Sequence, residues 1–157
     1  AEIPAYYGSV FSDHILDEVN LDGIGRILAL TSNDEANSMA ILHFNEVFER
    51  QELYQLVPET DKKKSEKYSP KHLRGRYLFN VNLDFAAFRS RYYSGSKIKS
   101  TKLSSDFDYK AFIEMYGKNS FPLFLINQDR ELVIFTCDRD IEPKSGDTII
   151  ALVEEKK

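Results

Sequence analysis

Apolar positions along the 157-residue chain change their spacing several times, and each change marks an element. Ile27, Leu28, Ala29 and Leu30 form a continuous apolar run, as expected of a strand buried on both faces. Thr31 and Ser32 end it. Ser32 with Glu35 reads as a capping box, and Asp34 and Glu35 fall where a helix dipole favours negative charge. Ala36, Met39, Ala40, His43, Phe44 and Val47 then recur at helical spacing, which predicts them as the inward face. Leu53 to Val57 reads as a second apolar strand, stopped by Pro58. Strand, helix and strand of this kind form a βαβ unit, which implies a parallel sheet and a right-handed crossover. Upstream, Ala5-Tyr6-Tyr7 before Gly8-Ser9 reads as a strand end and turn. Ser12 reads as the cap of a short helix through Ile15, Leu16 and Val19. The expected unit over residues 1–58 is strand, helix, strand, helix, strand.

Residues 59–76 are charged and nearly devoid of aliphatics, the pattern of a linker or mobile loop. Tyr77-Leu78-Phe79 resumes apolar structure. Asp84 to Tyr93 reads as a helix, with Phe85, Phe88 and Tyr92 at core spacing. From Lys97 the period shortens. Ile98 to Leu103 alternates as a strand, and Asp106 to Tyr116 reads as a helix with Phe112, Ile113 and Tyr116 inward and Gly117 as its stop. Phe121 to Ile126 and Glu131 to Thr136 read as strands joined by the hairpin signal Asn127-Gln128-Asp129-Arg130. Pro143-Lys144-Ser145-Gly146-Asp147 leads into a last strand, Thr148 to Val153. The expected fold class is therefore α/β, a partial Rossmann-like parallel sheet (a βαβαβ half) followed by a small α+β lobe over residues 77–157.

Composition adds limits. Hydrophobic residues make up 42% and charged residues 29%, a globular balance. No apolar run approaches the ~18–20 residues that span a bilayer, and no secretory signal opens the chain. Ala1 in place of an initiator Met points to a processed chain or a segment taken from something longer. The single cysteine, Cys137, excludes an internal disulfide and a cysteine-based zinc site, and suits a reducing compartment. The net charge of −4 conceals a strong asymmetry: residues 1–57 carry −8, residues 58–102 carry +8 and residues 103–157 carry −4. The basic stretch, interleaved with Tyr68, Tyr77, Phe79, Phe85, Phe88, Tyr92 and Tyr93, has the composition of a nucleic-acid or anionic-lipid contact. Those aromatics fall at core spacing and the chain as a whole is acidic, so nucleic acid is not the expected partner.

Candidate chemistry is sparse. His14 and Glu18 have a metal-compatible i, i+4 spacing but no third ligand near them, so a solvated helix face is the plainer reading. His43 on an apolar face reads as a core histidine with one hydrogen bond, and His72 as exposed. Cys137 has no neighbouring base and reads as a half-buried structural thiol. Asp106 and Asp108 read as a helix start, Asp138 and Asp140 as a turn. No metal site and no catalytic residue is expected. In an open α/β sheet, ligands sit beyond the carboxyl ends of the strands. Here those positions are Gly8 and Ser9, and Thr31, Ser32 and Asn33, whose hydroxyls, amide and helix N-terminus suit a ribose, an adenine edge or an anion. The simpler alternative is that Ser32 only caps the helix.

The run Ala-Leu-Thr-Ser-Asn-Asp-Glu-Ala-Asn-Ser-Met-Ala at 29–40 resembles the second half of an RCK domain, the Rossmann-type cytosolic regulator of potassium channels and transporters. With Leu42-His43-Phe44 and Tyr54-Gln55-Leu56 it is most similar to the cytosolic tail of bacterial sodium/proton antiporters. Pro143-x-x-Gly146-Asp147-Thr-Ile-Ile-Ala-Leu-Val resembles the close of the lobe that follows RCK domains. Two departures stand out. Ser9 occupies the position where the family usually has an acidic residue after a glycine. The dinucleotide fingerprint is also missing: Gly23 and Gly25 precede a strand, and position 28 is Leu. The resemblance implies a regulatory or assembly domain, on the cytoplasmic side of the bacterial inner membrane, of a longer chain whose membrane-embedded part performs cation/proton exchange. It implies an adenine nucleotide or an ion as the candidate ligand, a homodimer as the candidate assembly, and no enzymatic activity. The alternatives are a fragment of a Rossmann-type NAD(P)-dependent oxidoreductase, which needs the missing glycine turn and a proton donor, and a nucleic-acid-binding protein.

Overall fold

The computed structural model describes residues 5–9, 12, 19, 21–59, 74–117 and 119–154. Of the first expected strand, only its end is among the described residues: residues 5–9 form no strand, and Tyr6 and Tyr7 are exposed. The expected helix after Ser12 and the loop over 59–76 lie largely outside the described residues. The parallel sheet instead begins at β1 (Ile27–Ala29), passes through helix α1 (Asp34–Phe44) to β2 (Leu53–Gln55), and ends at β3 (Arg76–Tyr77). Its order is β1-β2-β3, all parallel, with Ile27 opposite Leu53 and Tyr54 opposite Arg76. Among the described residues the sheet has three strands, of which Ile27–Ala29 and Leu53–Gln55 match expected strands and Arg76–Tyr77 was not expected in it. β2, at its centre, is buried at every residue, whereas β1 is only partly covered and Leu30 is exposed.

Helix α1 starts one residue later than the capping box predicted. Asn33 is the cap, and its side-chain oxygen accepts from the Ala36 backbone N–H at 2.9 Å. Such a cap contributes about 1 kcal/mol. The helix is also rotated from its expected face. Asn37, Ala40, Ile41 and Phe44 are buried, while Met39 and Val47, expected inward, are 53% and 52% exposed. Ile41 and Phe44 pack with Ala29 and Leu53 to form the core of this half.

The second half opens with helix α2 (Phe85–Tyr93), capped by Asp84, and continues as β4 (Lys97–Lys102), helix α3 (Tyr109–Tyr116), β5 (Phe121–Ile126), β6 (Leu132–Ile134) and β7 (Thr148–Val153). The cap of α3 is Asp108, whose carboxylate accepts from Ala111 N at 2.8 Å. The strands form an antiparallel sheet in the order β4-β7-β5-β6, so the last strand in sequence lies between β4 and β5. One face is covered by α3 through Phe112, which packs on Leu103, Leu125, Phe135, Ile149, Ala151 and Val153. On the other face Phe88 of α2 packs against Leu83, Phe121, Leu123 and Leu152. The turn into β7 uses Gly146 at φ 93°, a conformation open to glycine, and the buried Asp147 carboxylate closes it by accepting from Lys144 N at 2.7 Å.

The two sheets are joined directly. Leu78, just past β3, bridges Thr136; Phe79 N donates to Phe135 O at 2.8 Å and Cys137 N to Tyr77 O at 2.9 Å. Tyr54 and Leu56 share a buried cluster with Leu78 and Ile134. Tyr77, read from sequence as the opening of the C-terminal lobe, thus closes the parallel sheet and begins the seam. The whole is α/β: a partial Rossmann-like parallel sheet followed by an antiparallel sheet with its own helices.

Candidate functional site

The carboxyl ends of β1 and β2 are held by an amide network. Asn37, almost fully buried, reaches back one turn to Thr31. Its Oδ1 accepts from Thr31 N at 3.0 Å and from Thr31 Oγ1 at 2.7 Å, and its Nδ2 donates to Thr31 O at 2.9 Å. A buried amide satisfied this way fixes the strand-to-helix turn, and its loss would strand polar groups at ~1–3 kcal/mol. Asn33 is engaged as the helix cap. The helix N-terminus is further closed by Asp34, which accepts from Glu59 N at 3.0 Å. Of the expected ligand residues, Thr31, Ser32 and Asn33 do lie together in this turn, with Thr31 and Asn33 bonded within it. Gly8 and Ser9 follow no strand among the described residues. Asp34, Glu35 and Glu59 surround the turn with negative charge, which disfavours a phosphate there.

The amino ends of the parallel strands differ in every respect. An open cleft of about 300 Å³ is lined there by Arg50, Arg74, Gly75, Arg76, Tyr77, Cys137 and Asp138, with Val81 at its margin. It opens where a 3₁₀ turn over Arg50–Glu52 enters β2 and where Gly75 enters β3. Gly75 permits that approach: a Cβ there would stand 2.9 Å from Leu53 O. Its N–H donates to the buried Gln55 side chain at 3.1 Å, and Gln55 Nε2 reaches Ser38 Oγ at 3.3 Å, tying β2, β3 and α1 together.

Three arginines face one carboxylate in this cleft, yet two of them are committed to the seam. Arg76 donates through Nε and Nη2 to the two oxygens of Asp138, at 3.2 and 3.1 Å, and through Nη2 to Thr136 Oγ1 at 2.9 Å. Its guanidinium also lies over the Tyr54 ring, and that of Arg74 lies 4.2 Å above the Tyr77 ring. The hydrogen bond with Asp138 raises the Arg76 pKa. Partial burial pushes the Asp138 carboxyl up, but the hydrogen bonds from Arg76 and Thr136 outweigh it and hold the carboxyl below its ordinary value. On the far side Arg26 pairs with Glu52 at 2.8 Å and donates to Leu132 O of β6 at 3.0 Å, a second tie between the halves.

Cys137 is exposed as a residue, but its sulfur turns inward towards Leu78 O at 3.8 Å. Burial pushes the thiol up to about 11, so it stays protonated and is a poor nucleophile. His43 Nε2 is shut from solvent with no hydrogen-bond partner among the described residues, unlike the singly bonded core histidine expected. No group of three potential metal-ligating side chains occurs among the described residues. His14, Glu18 and His72 lie outside them. Sequence reasoning missed the Arg76–Asp138 clamp because its members are 62 residues apart, and the only signal was the charge asymmetry. No helix among the described residues is long and apolar enough to cross a membrane. Compared with family models, curated proteins and solved structures, the chain shows no match.

Proposed function

We propose that this chain is the cytosolic regulatory and assembly region of a bacterial cation/proton antiporter, a non-catalytic module attached to a membrane-embedded transport domain of the same longer chain, at the cytoplasmic face of the inner membrane. The observation that carries this reading is the placement of the 29–40 motif. It forms the strand-to-helix turn at the carboxyl end of a parallel sheet, as the likeness to the second half of an RCK domain implies. The Gly146–Asp147 turn before a central strand gives the second support. The module acts by favouring one arrangement of the transport domain, which requires different contacts in its two states. The strand-end turn is occupied by the chain's own amides and carboxylates, and this favours assembly, through a homodimer, over the sensing of an adenine nucleotide.

The test is transport. The reading frame upstream should encode several apolar segments of ~20 residues. Cation-driven proton movement in everted membrane vesicles should then persist when residues 1–157 are removed, with altered control or assembly. Identical transport with and without them overturns the regulatory reading. A thermal-shift screen with NAD(H), ATP, ADP and AMP separates the two modes. A ligand at a hundredfold excess over its dissociation constant adds ~2.7 kcal/mol of stability. No shift is the expected result, and a shift abolished by Ser32→Trp would reinstate the nucleotide.

A further inference from the structure

One surface is left over from the clefts and the seam. Between Asp84 and Asp106 the chain carries five basic residues, Arg89, Arg91, Lys97, Lys99 and Lys102, and no acidic one, although the whole chain is at −4. The structure folds this stretch into α2, the turn at Ser94-Gly95 and β4, an edge strand of the antiparallel sheet. Arg89, Tyr92 and Tyr93 share one flank of α2 at i, i+3 and i+4 spacing. Ile98 pairs with Leu152 of β7, and Leu152 belongs to the cluster that Phe88 of α2 covers. Because strand residues alternate, Ile98 and Lys102 stand on the same side of the sheet as α2. Tyr92 is 58%, Tyr93 80% and Ile98 55% exposed, and Arg89 and Lys102 are exposed on the same side. The two phenol rings meet edge to face, with centroids 6.0 Å apart.

We propose that this face docks on the surface of an anionic phospholipid bilayer. Cationic side chains would meet the headgroup phosphates, and the two tyrosines and Ile98 would enter the boundary layer, where rings with one apolar and one polar end are favoured. Of the five cations, Arg91 is partly neutralised by Glu154 at 3.2 Å, and Lys99 lies 5.5 Å from the Tyr116 ring centroid on the opposite face. Lys97, opposite Val153, falls on that same opposite face by the alternation, so Arg89 and Lys102 are the cations on the docking side. A single-stranded nucleic acid is disfavoured, because it requires a groove that tracks its backbone with bases stacked on ring faces. These aromatics lie outside the cleft described above, and the two tyrosine rings pack edge to face on one another. The inference stands on these charges and exposures whether or not the antiporter reading holds. Should both hold, α2 and β4 face the membrane.

The experiment is co-sedimentation of the 157-residue chain with vesicles of phosphatidylcholine alone and of phosphatidylcholine mixed equally with phosphatidylglycerol. Binding is expected only with the mixed vesicles, and it should fall steeply as salt rises. Arg89→Gln and Lys102→Gln should each lower partition about fivefold, and Lys102→Glu further. Tyr93→Ser should weaken binding while leaving its salt dependence in place. Unchanged melting temperatures show that each variant is folded, and the two separate glutamine variants guard against one failing. Absence of binding, equal binding to neutral vesicles, or binding indifferent to Arg89 and Lys102 overturns the proposal. So does tighter binding to a single-stranded oligonucleotide that is lost in the same variants.

Discussion

The two sheets secure their geometry by different means. The antiparallel sheet has strands of six residues in β4, β5 and β7, an extended hydrogen-bonded ladder and an apolar core around Phe112. The parallel sheet has strands of three, three and two residues, too short for the ladder to fix register alone. It supplies the missing specification with two buried amides. Asn37 fixes the exit from β1, and Gln55 fixes the relation of β2 to β3 and α1. A fully satisfied buried polar group gives less net stability than an apolar one, but leaves few alternative arrangements. Long strands specify themselves, and short ones need side chains to do it.

That contrast can be tested by mutation. Phe112→Ala empties the centre of the antiparallel core and should cost about 3–5 kcal/mol in urea unfolding. If the seam couples the sheets, tyrosine fluorescence and far-UV dichroism should shift together, and separate transitions would divide them. Asn37→Ala should cost about 1–3 kcal/mol. Asn37→Leu should not recover it, because Thr31 stays unsatisfied; full recovery would show that the amide adds nothing specific. His43→Leu removes a buried nitrogen without a partner and should stabilise the protein by about 1 kcal/mol, read as a higher melting temperature.

The smallest effect belongs to the clamp. Asp138 is titrated at a lower pH in the folded state, so its contribution is complete above the unfolded carboxyl value near ~3.9 and declines as pH falls through the folded one. More than half the Asp138 side chain is exposed, so solvent screening keeps the pair within ~0–1 kcal/mol. Asp138→Asn should lower stability slightly at neutral pH and converge with the parent in acid. A constant gap down to pH ~2 would assign the loss to packing rather than charge.

The elements with strong periodicity were legible in the sequence. The run at Ile27, the helix over 85–93, the helix over 109–116 and the strands at 121–126 and 148–153 all appear within a few residues of their expected places. The misses have physical causes. The inward face of α1 was misassigned because hydrophobicity ranks Met39 and Val47 above Asn37, while the structure buries Asn37, whose side chain makes three hydrogen bonds to Thr31. Ser32 and Asn33 are both competent caps, and a pattern alone does not choose between neighbours. The seam and the cleft arise from pairings such as Arg76 with Asp138, which no local spacing encodes. The strand-end residues Thr31, Ser32 and Asn33 were placed correctly at a turn, but the sequence did not reveal that Asn37 occupies its bonds.

The central position of β7 also bears on the order of events during synthesis. β4 and β5 are made tens of residues before Thr148–Val153, and in the finished sheet each pairs with β7. During translation those strands emerge without their common neighbour, carrying the exposed Ile98 edge and the apolar faces of Phe121 and Leu123. The hairpin of β5 and β6 can close early, but the rest of the lobe waits until residue 153 leaves the ribosome. Non-local pairing of this kind slows folding and lengthens exposure to aggregation. The lysines along β4 then serve as gatekeepers of the nascent chain.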